Sequence, residues 1–173
     1  MKKIIIFSFF FLFALHLYSQ DAATLNARGF RQAKKENYEK AIELFTQAIK
    51  TDASFTDAYY NRALAYSKLK GYELAIADYT KAISIRPHFR IAYNNRGADK
   101  NELKDYTGAI EDYTKAIELD SSYAMAYYNR GIAQLNLKEY EKAIADFEKA
   151  IALKPGYKEA LLNRDIALEK KNE

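Results

Sequence analysis

Five arginines stand 34 residues apart, at Arg28, Arg62, Arg96, Arg130 and Arg164, and three aspartates keep the same step at Asp78, Asp112 and Asp146. A row of guanidinium groups could bind anions. Alternatively, each arginine could lay its stem along a seam between helices and pair with an aspartate. The matching acid row favours pairing, because buried charges ordinarily come in pairs. On that reading Arg164 is expected to pair with Asp146 across the end of the chain. A second row, Asn61, Asn95, Asn129 and Asn163, lies one place before the arginines. Asparagine is a middling helix former, so four of them on one face need a reason. Their amides could bond neighbouring helix backbones, or could hold the main chain of an extended ligand, since each carries both a donor and an acceptor.

Catalytic chemistry finds no comparable support. His88 lies beside Pro87, and beyond the N-terminal apolar run no other histidine accompanies it; the chain has no cysteine. A metal site, a thiolate nucleophile, a disulfide and histidine-based catalysis are therefore not expected. Adjacent carboxylates such as Glu111 and Asp112 would point in different directions on a helix. No glycine-rich phosphate loop or nucleophile motif is present, so neither an enzyme nor a cofactor is expected. The fifteen tyrosines could stack on bases or sugars, but most recur at interlocking helical places, where packing is the better account.

The elements that would position these rows follow from the same 34-residue step. Ala58-Tyr59-Tyr60-Asn61-Arg62 returns as Ala92-Tyr93-Asn94-Asn95-Arg96 and as Ala126-Tyr127-Tyr128-Asn129-Arg130. Asp78-Tyr79-Thr80-Lys81-Ala82-Ile83 returns in full from Asp112 and in part from Asp146, with a weaker copy at Leu44–Ile49. The repeats are therefore residues 22–55, 56–89, 90–123 and 124–157, each with two stretches of apolar residues at helical spacing. In the second, Tyr59, Ala63 and Tyr66 share one face, and Tyr72, Ala75, Ile76, Tyr79, Ala82 and Ile83 share another. The Lys70-Gly71 step breaks the two helices, and Pro87 and Pro155 end the second helix of their units. Only 6 glycines and 2 prolines leave too few turn formers for a many-stranded sheet fold.

Small residues recur in the first helix (Gly29, Ala63, Gly97, Gly131) and in the second (Ala41, Ala75, Ala109, Ala143, then Ala48, Ala82, Ala116, Ala150). Large partners are Tyr38, Tyr72, Tyr106 and Tyr140, then Phe45, Tyr79, Tyr113 and Phe147. In this pattern the chain resembles the tetratricopeptide repeat proteins, from Ala22 to about Lys171. The resemblance implies an all-α fold, a right-handed solenoid of stacked antiparallel helix pairs, in which neighbours share one continuous core. Residues 158–173 are expected to form a C-terminal capping helix, with Asp165 where earlier units carry Gly or Ala. The family commonly binds a peptide or partner protein on the concave surface made by the first helices. By that resemblance the groove here would present Asn26, Phe30, Tyr60, Leu64, Ile91, Asn94, Met125, Tyr128 and Ile132, with Asn61, Asn95 and Asn129 beside them. Chaperone-binding members grip a C-terminal carboxylate with basic and asparagine side chains from three repeats. Asn26, Phe30, Ile91 and Asn95 stand at those places, and only Asn61 matches, so such a clamp is not expected.

The first residues read differently. Lys2 and Lys3 precede an apolar run from Ile4 to Leu17, and Tyr18-Ser19-Gln20 offers a cut after Ser19. That is the layout of a secretory signal peptide over residues 1–19, shorter than the about 20 apolar residues that span a bilayer. The expectation is an exported protein, periplasmic or secreted, with no mature transmembrane segment and, lacking cysteine, no lipoprotein anchor. The formal charge is +4, from 27 basic and 23 acidic residues. Removing Lys2 and Lys3 leaves 25 against 23, or +2, which gives no electrostatic reason to expect nucleic acid. Two functions remain. The first is an interaction module for a protein or peptide ligand; the second is a structural or self-associating subunit of a cell-envelope assembly.

Overall fold

The computed structural model describes residues 21–173, so the expected signal peptide lies outside the described residues. Nine helices and no strands follow one another there: α1 Ala22–Ala33, α2 Tyr38–Thr51, α3 Thr56–Lys68, α4 Tyr72–Ile85, α5 Arg90–Glu102, α6 Tyr106–Leu119, α7 Ala124–Asn136, α8 Tyr140–Leu153 and α9 Lys158–Lys171. Each packs on the next, and α1 on α3, α5 on α7 and α7 on α9 touch across the intervening helix. The result is an all-α row of helical hairpins.

The packing explains the small and large positions. Phe45, Tyr79, Tyr113 and Phe147 are at most 2% exposed, each in the second helix of its hairpin. Burying such a ring stabilises by roughly 1.5–3 kcal/mol. Facing them are Gly29, Ala63, Gly97 and Gly131. A Cβ on Gly97 would stand 2.8 Å from the Tyr113 ring and 3.1 Å from the Ala109 carbonyl oxygen. The helices approach to the limit that a hydrogen side chain permits.

Inside each hairpin the turn is made by a left-handed residue: Glu36, Lys70, Lys104 and Lys138, with φ between 59° and 64°. The Lys70-Gly71 break is present, but the glycine does not supply the left-handed conformation. Gly71 sits at φ −82° before α4. Between hairpins two devices alternate. After α4 and α8 the chain turns at Pro87 and Pro155. After α2 and α6 an aspartate bends it instead, Asp52 Oδ1 accepting from the Ser54 N–H at 2.8 Å and Asp120 Oδ1 from the Ser122 N–H at 3.0 Å, a side-chain turn available to Asp.

The arginines clamp three helices each. Arg62 on α3 donates from Nε and Nη2 to both oxygens of Asp78 on α4, at 2.6 and 2.8 Å, and from Nη1 to Thr46 Oγ1 on α2 at 2.9 Å. Arg96 repeats this with Asp112 and Thr80, and Arg130 with Asp146 and Thr114. A planar guanidinium matches a carboxylate in two-point contact and keeps a third donor for the hydroxyl. The clamp joins an arginine to the aspartate 16 residues ahead. The expected Arg164–Asp146 pair is therefore absent: Asp146 belongs to Arg130, and Arg164 bonds Asp165 Oδ1 at 2.7 Å. In the first hairpin Leu44 stands where the later ones carry the aspartate.

Candidate partner-binding face

The odd-numbered helices present one face of the row. Every residue expected in the groove lies on them: Asn26 and Phe30 on α1, Tyr60, Asn61 and Leu64 on α3, Ile91, Asn94 and Asn95 on α5, Met125, Tyr128, Asn129 and Ile132 on α7. The asparagines form a ladder across it. Asn61 Nδ2 donates to Asn26 Oδ1 at 3.0 Å, Asn95 to the Tyr60 hydroxyl at 3.1 Å, Asn129 to Asn94 Oδ1 at 3.0 Å, and Asn163 to the Tyr128 hydroxyl at 3.2 Å. The amides join side chain to side chain between successive odd helices, so one donor of each serves the fold. Asn94, expected at the surface, is 2% exposed and bonds both Asn95 and Asn129. Its amide Nδ2 donates to Asn95 Oδ1 at 3.2 Å.

The acceptors along the ladder alternate Asn, Tyr, Asn, Tyr, a period of two hairpins. Each tyrosine rests on an aromatic residue of the loop that follows its hairpin. Tyr60 lies 4.8 Å from Phe89 and Tyr128 4.9 Å from Tyr157, between ring centres. Burial pushes the phenols of Tyr60 and Tyr128 up from their ordinary value, so both remain neutral hydroxyls at physiological pH.

Apolar surface remains on this face. Phe30 is 46% exposed and Met125 49%. Phe30, Ala33, Leu64, Ala65, Tyr38 and Phe45 line a recess of about 220 Å³, with Lys34 and Lys68 at its walls. The Lys34 ammonium sits 4.9 Å from the Phe30 ring centre, a favourable cation–π distance. A second recess, of about 240 Å³, opens between α3 and α5 beside Leu64, Ser67, Asn95 and Asp99. The face thus offers aromatic and aliphatic anchors of the type enriched at protein interfaces.

Two sets of residues escaped the sequence reading. The threonines of the clamps, Thr46, Thr80 and Thr114, were signalled by the recurring Tyr-Thr or Phe-Thr step two residues after the aspartate position. Asp99 was signalled by a break in the repeat: the corresponding places in α3, α7 and α9 hold Ala65, Ala133 and Ala167. Asp99 is 5% exposed, and its Oδ2 accepts from the Ser67 hydroxyl at 2.6 Å. Burial, with the nearby Glu102 charge adding to it, pushes its carboxyl up to about 6. Two further buried acceptors, Asn101 Oδ1 on α5 and Gln134 Oε1 on α7, have no hydrogen-bond donor.

Comparison with known proteins agrees with this geometry. The tetratricopeptide repeat model matches residues 56–89 and 124–157, and a TPR repeat model matches residues 31–70 and 100–138. The Arabidopsis OM64 TPR domain is 32% identical, with a TM-score of 0.65 over 66% of this chain and 94% of that domain. The chain belongs to the tetratricopeptide repeat family. Tetratricopeptide repeat domains are protein–protein interaction modules, a non-catalytic fold. The first TPR domain of Spaghetti (RPAP3), solved with the HSP90 peptide SRMEEVD, is 28% identical, with a TM-score of 0.68 over 70% of this chain and 97% of that one. A crystal structure of MamA protein is similar over more of the chain: 25% identity and a TM-score of 0.83, covering 87% of this chain and 82% of MamA. No curated protein matches the sequence. Among the described residues, no helix is long and apolar enough to cross a membrane.

Proposed function

We propose that this tetratricopeptide repeat protein is an exported, non-catalytic adaptor that holds an extended segment of a partner protein across its odd-helix face. The observation that carries the reading is the Phe30–Leu64 recess: apolar side chains stand open on a face whose helix spacing is held by a side-chain hydrogen-bond ladder. A face kept at fixed spacing receives a ligand without the entropy loss of ordering itself. Export rests on the Lys2-Lys3 start and the apolar run Ile4–Leu17. N-terminal sequencing of the protein recovered from its native compartment tests it; an intact Met1 start would overturn it.

The binding face is tested by capture of partners with the wild-type chain and with a Phe30→Asp, Met125→Asp variant, whose side chains are exposed enough to change without unfolding. The variant is expected to lose the partners at unchanged helical circular dichroism. Recovery of the same partners by both would overturn the groove.

The self-associating alternative draws on a different surface. On α9 Leu162 is 62% exposed and Leu168 40%, an apolar end where a further hairpin could stack. Light scattering separates the two readings. A monomer supports the adaptor, whereas a defined oligomer dissolved by Leu162→Lys supports the subunit.

A further inference from the structure

Four aspartates of this chain are buried on its helices, and three of them are Asp78, Asp112 and Asp146, each held by an arginine at both oxygens. The fourth is Asp99. It is as buried as the others, at 5% exposure, yet its only hydrogen bond is from the neutral Ser67 hydroxyl, and the one charged group acting on it is Glu102, an acid. Packing does not ask for an acid there, since alanine fills the same place in α3, α7 and α9 at 0–2% exposure. A buried carboxylate without a counter-charge destabilises the molecule that carries it.

Asp99 is not sealed in. It lines the recess between α3 and α5, with Leu64, Ser67, Lys68, Tyr79, Asn95 and Ala98. Glu102 lies one turn further along α5, where the Tyr72 hydroxyl approaches it at 3.4 Å. Asp99 is the one carboxylate lining the recess, and it meets a single hydroxyl donor. The cation in the recess wall, Lys68, is exposed and makes no ion pair with Asp99.

We infer that this recess receives a cationic side chain, a lysine ammonium or arginine guanidinium, of the segment laid across the odd-helix face, with Asp99 as its counter-ion. Such groups carry donors and no acceptors, and donors are what the Asp99 carboxylate lacks. Leu64 and Ala98 flank the stem, and the carboxylate, already stripped of water, gives a stronger contact than a surface acid could. The selection is by charge: a neutral side chain of the same length leaves the carboxylate unpaired. At the next pocket along, Lys34 joins Lys68 and no carboxylate lines the apolar recess, so the favoured segment carries its basic residue at α5 and none at α1.

The inference rests on the groove reading for the segment, but the recess can be tested without it. The probes are Nα-acetyl-arginine methylamide and its neutral citrulline counterpart, titrated into the isotopically labelled chain and followed by amide chemical shifts. The arginine probe is expected to give saturable shifts at Ser67, Asn95, Ala98 and Asp99. The citrulline probe is expected to bind about tenfold or more weakly. In Asp99→Asn, which keeps a partner for Ser67, the preference for arginine should vanish. Equal binding of the two probes, arginine binding undiminished in Asp99→Asn, or no saturable shift with either would overturn the inference. Failure of the capture experiment with Phe30 and Met125 changed would instead overturn the groove and leave these titrations as they are.

Discussion

Asp112 and Asp99 lie in the same repeat, are buried to the same depth, and are treated in opposite ways. Asp112, 3% exposed, takes both Nε and Nη2 of Arg96, at 2.9 and 2.5 Å, and the Lys100 ammonium at 2.9 Å. Asp99 has one hydroxyl. The first carboxylate is part of the seam that holds two hairpins together, and its kind recurs in three hairpins at a step of 34 residues. The second occurs once, on the wall of an open recess. A charge that serves the fold comes with its partner in the same chain, whereas one that arrives alone marks a place where the chain departs from its own repeat.

The largest effect that would sharpen this contrast is removal of an arginine where no second cation helps. Arg130→Met leaves Asp146 buried and unpaired, and is expected to cost about 3–5 kcal/mol in denaturant unfolding. Arg130→Met with Asp146→Leu should recover most of it. If the single change costs no more than a surface substitution, the clamps are not what holds the seams.

Removing Asp99 should act in the other direction. Its carboxyl is pushed up to about 6, above the ordinary value of about 3.9, so the folded state binds the proton more tightly than the unfolded one. The resulting destabilisation is fully present above pH 6 and fades as pH falls from there towards 4. Asp99→Ala is expected to stabilise by roughly 1–3 kcal/mol at pH 7.5 and by little at pH 4. The groups facing it are Ser67, Lys68, Tyr79 and Glu102, of which Glu102 works in the same direction. A variant less stable than wild type at pH 7.5 would break the contrast.

Lys100→Ala is the smallest of the three. Arg96 still holds both oxygens of Asp112, so thermal unfolding should register a loss of about 0.5–1 kcal/mol. A loss equal to that of Arg130→Met would mean that the lysine, not the arginine, carries the charge balance in this repeat.

Fold and site were unequally legible. The 34-residue step, the glycines and alanines under the aromatic rings, and the pairing of the arginine and aspartate rows are written in residue types, because helix approach and charge burial restrict those types tightly. Direction is not written there. Arg164 and Asp146 stand in the right rows, yet the clamp reaches forward along the chain, and the last arginine bonds its neighbour. The asparagine row showed that some hydrogen bond was needed but not which one, since an amide serves a backbone, a ligand or another side chain equally well. Gly71 was the obvious turn residue, and Lys70 takes the left-handed conformation. Asp99 was marked only by contrast with the alanines at the same place, Ala65, Ala133 and Ala167; taken alone, an acid among polar helix residues gives no sign of depth until the neighbouring helix covers it.

The threonine contact gives the row a polarity. Each arginine grips its own hairpin with two donors and the preceding one with the third, so every hairpin is fastened from behind by its successor. Cutting the chain after Tyr157 discards Arg164, which fastens nothing upstream, and all three clamps survive. Cutting after Tyr123 discards one whole clamp and frees only the Thr114 hydroxyl from those that remain. Shortening from the C-terminal end therefore leaves the arginine clamps of the surviving hairpins closed, and what the new end loses is the cover of Ala133 over Tyr113 and the Asn129 bond to Asn94.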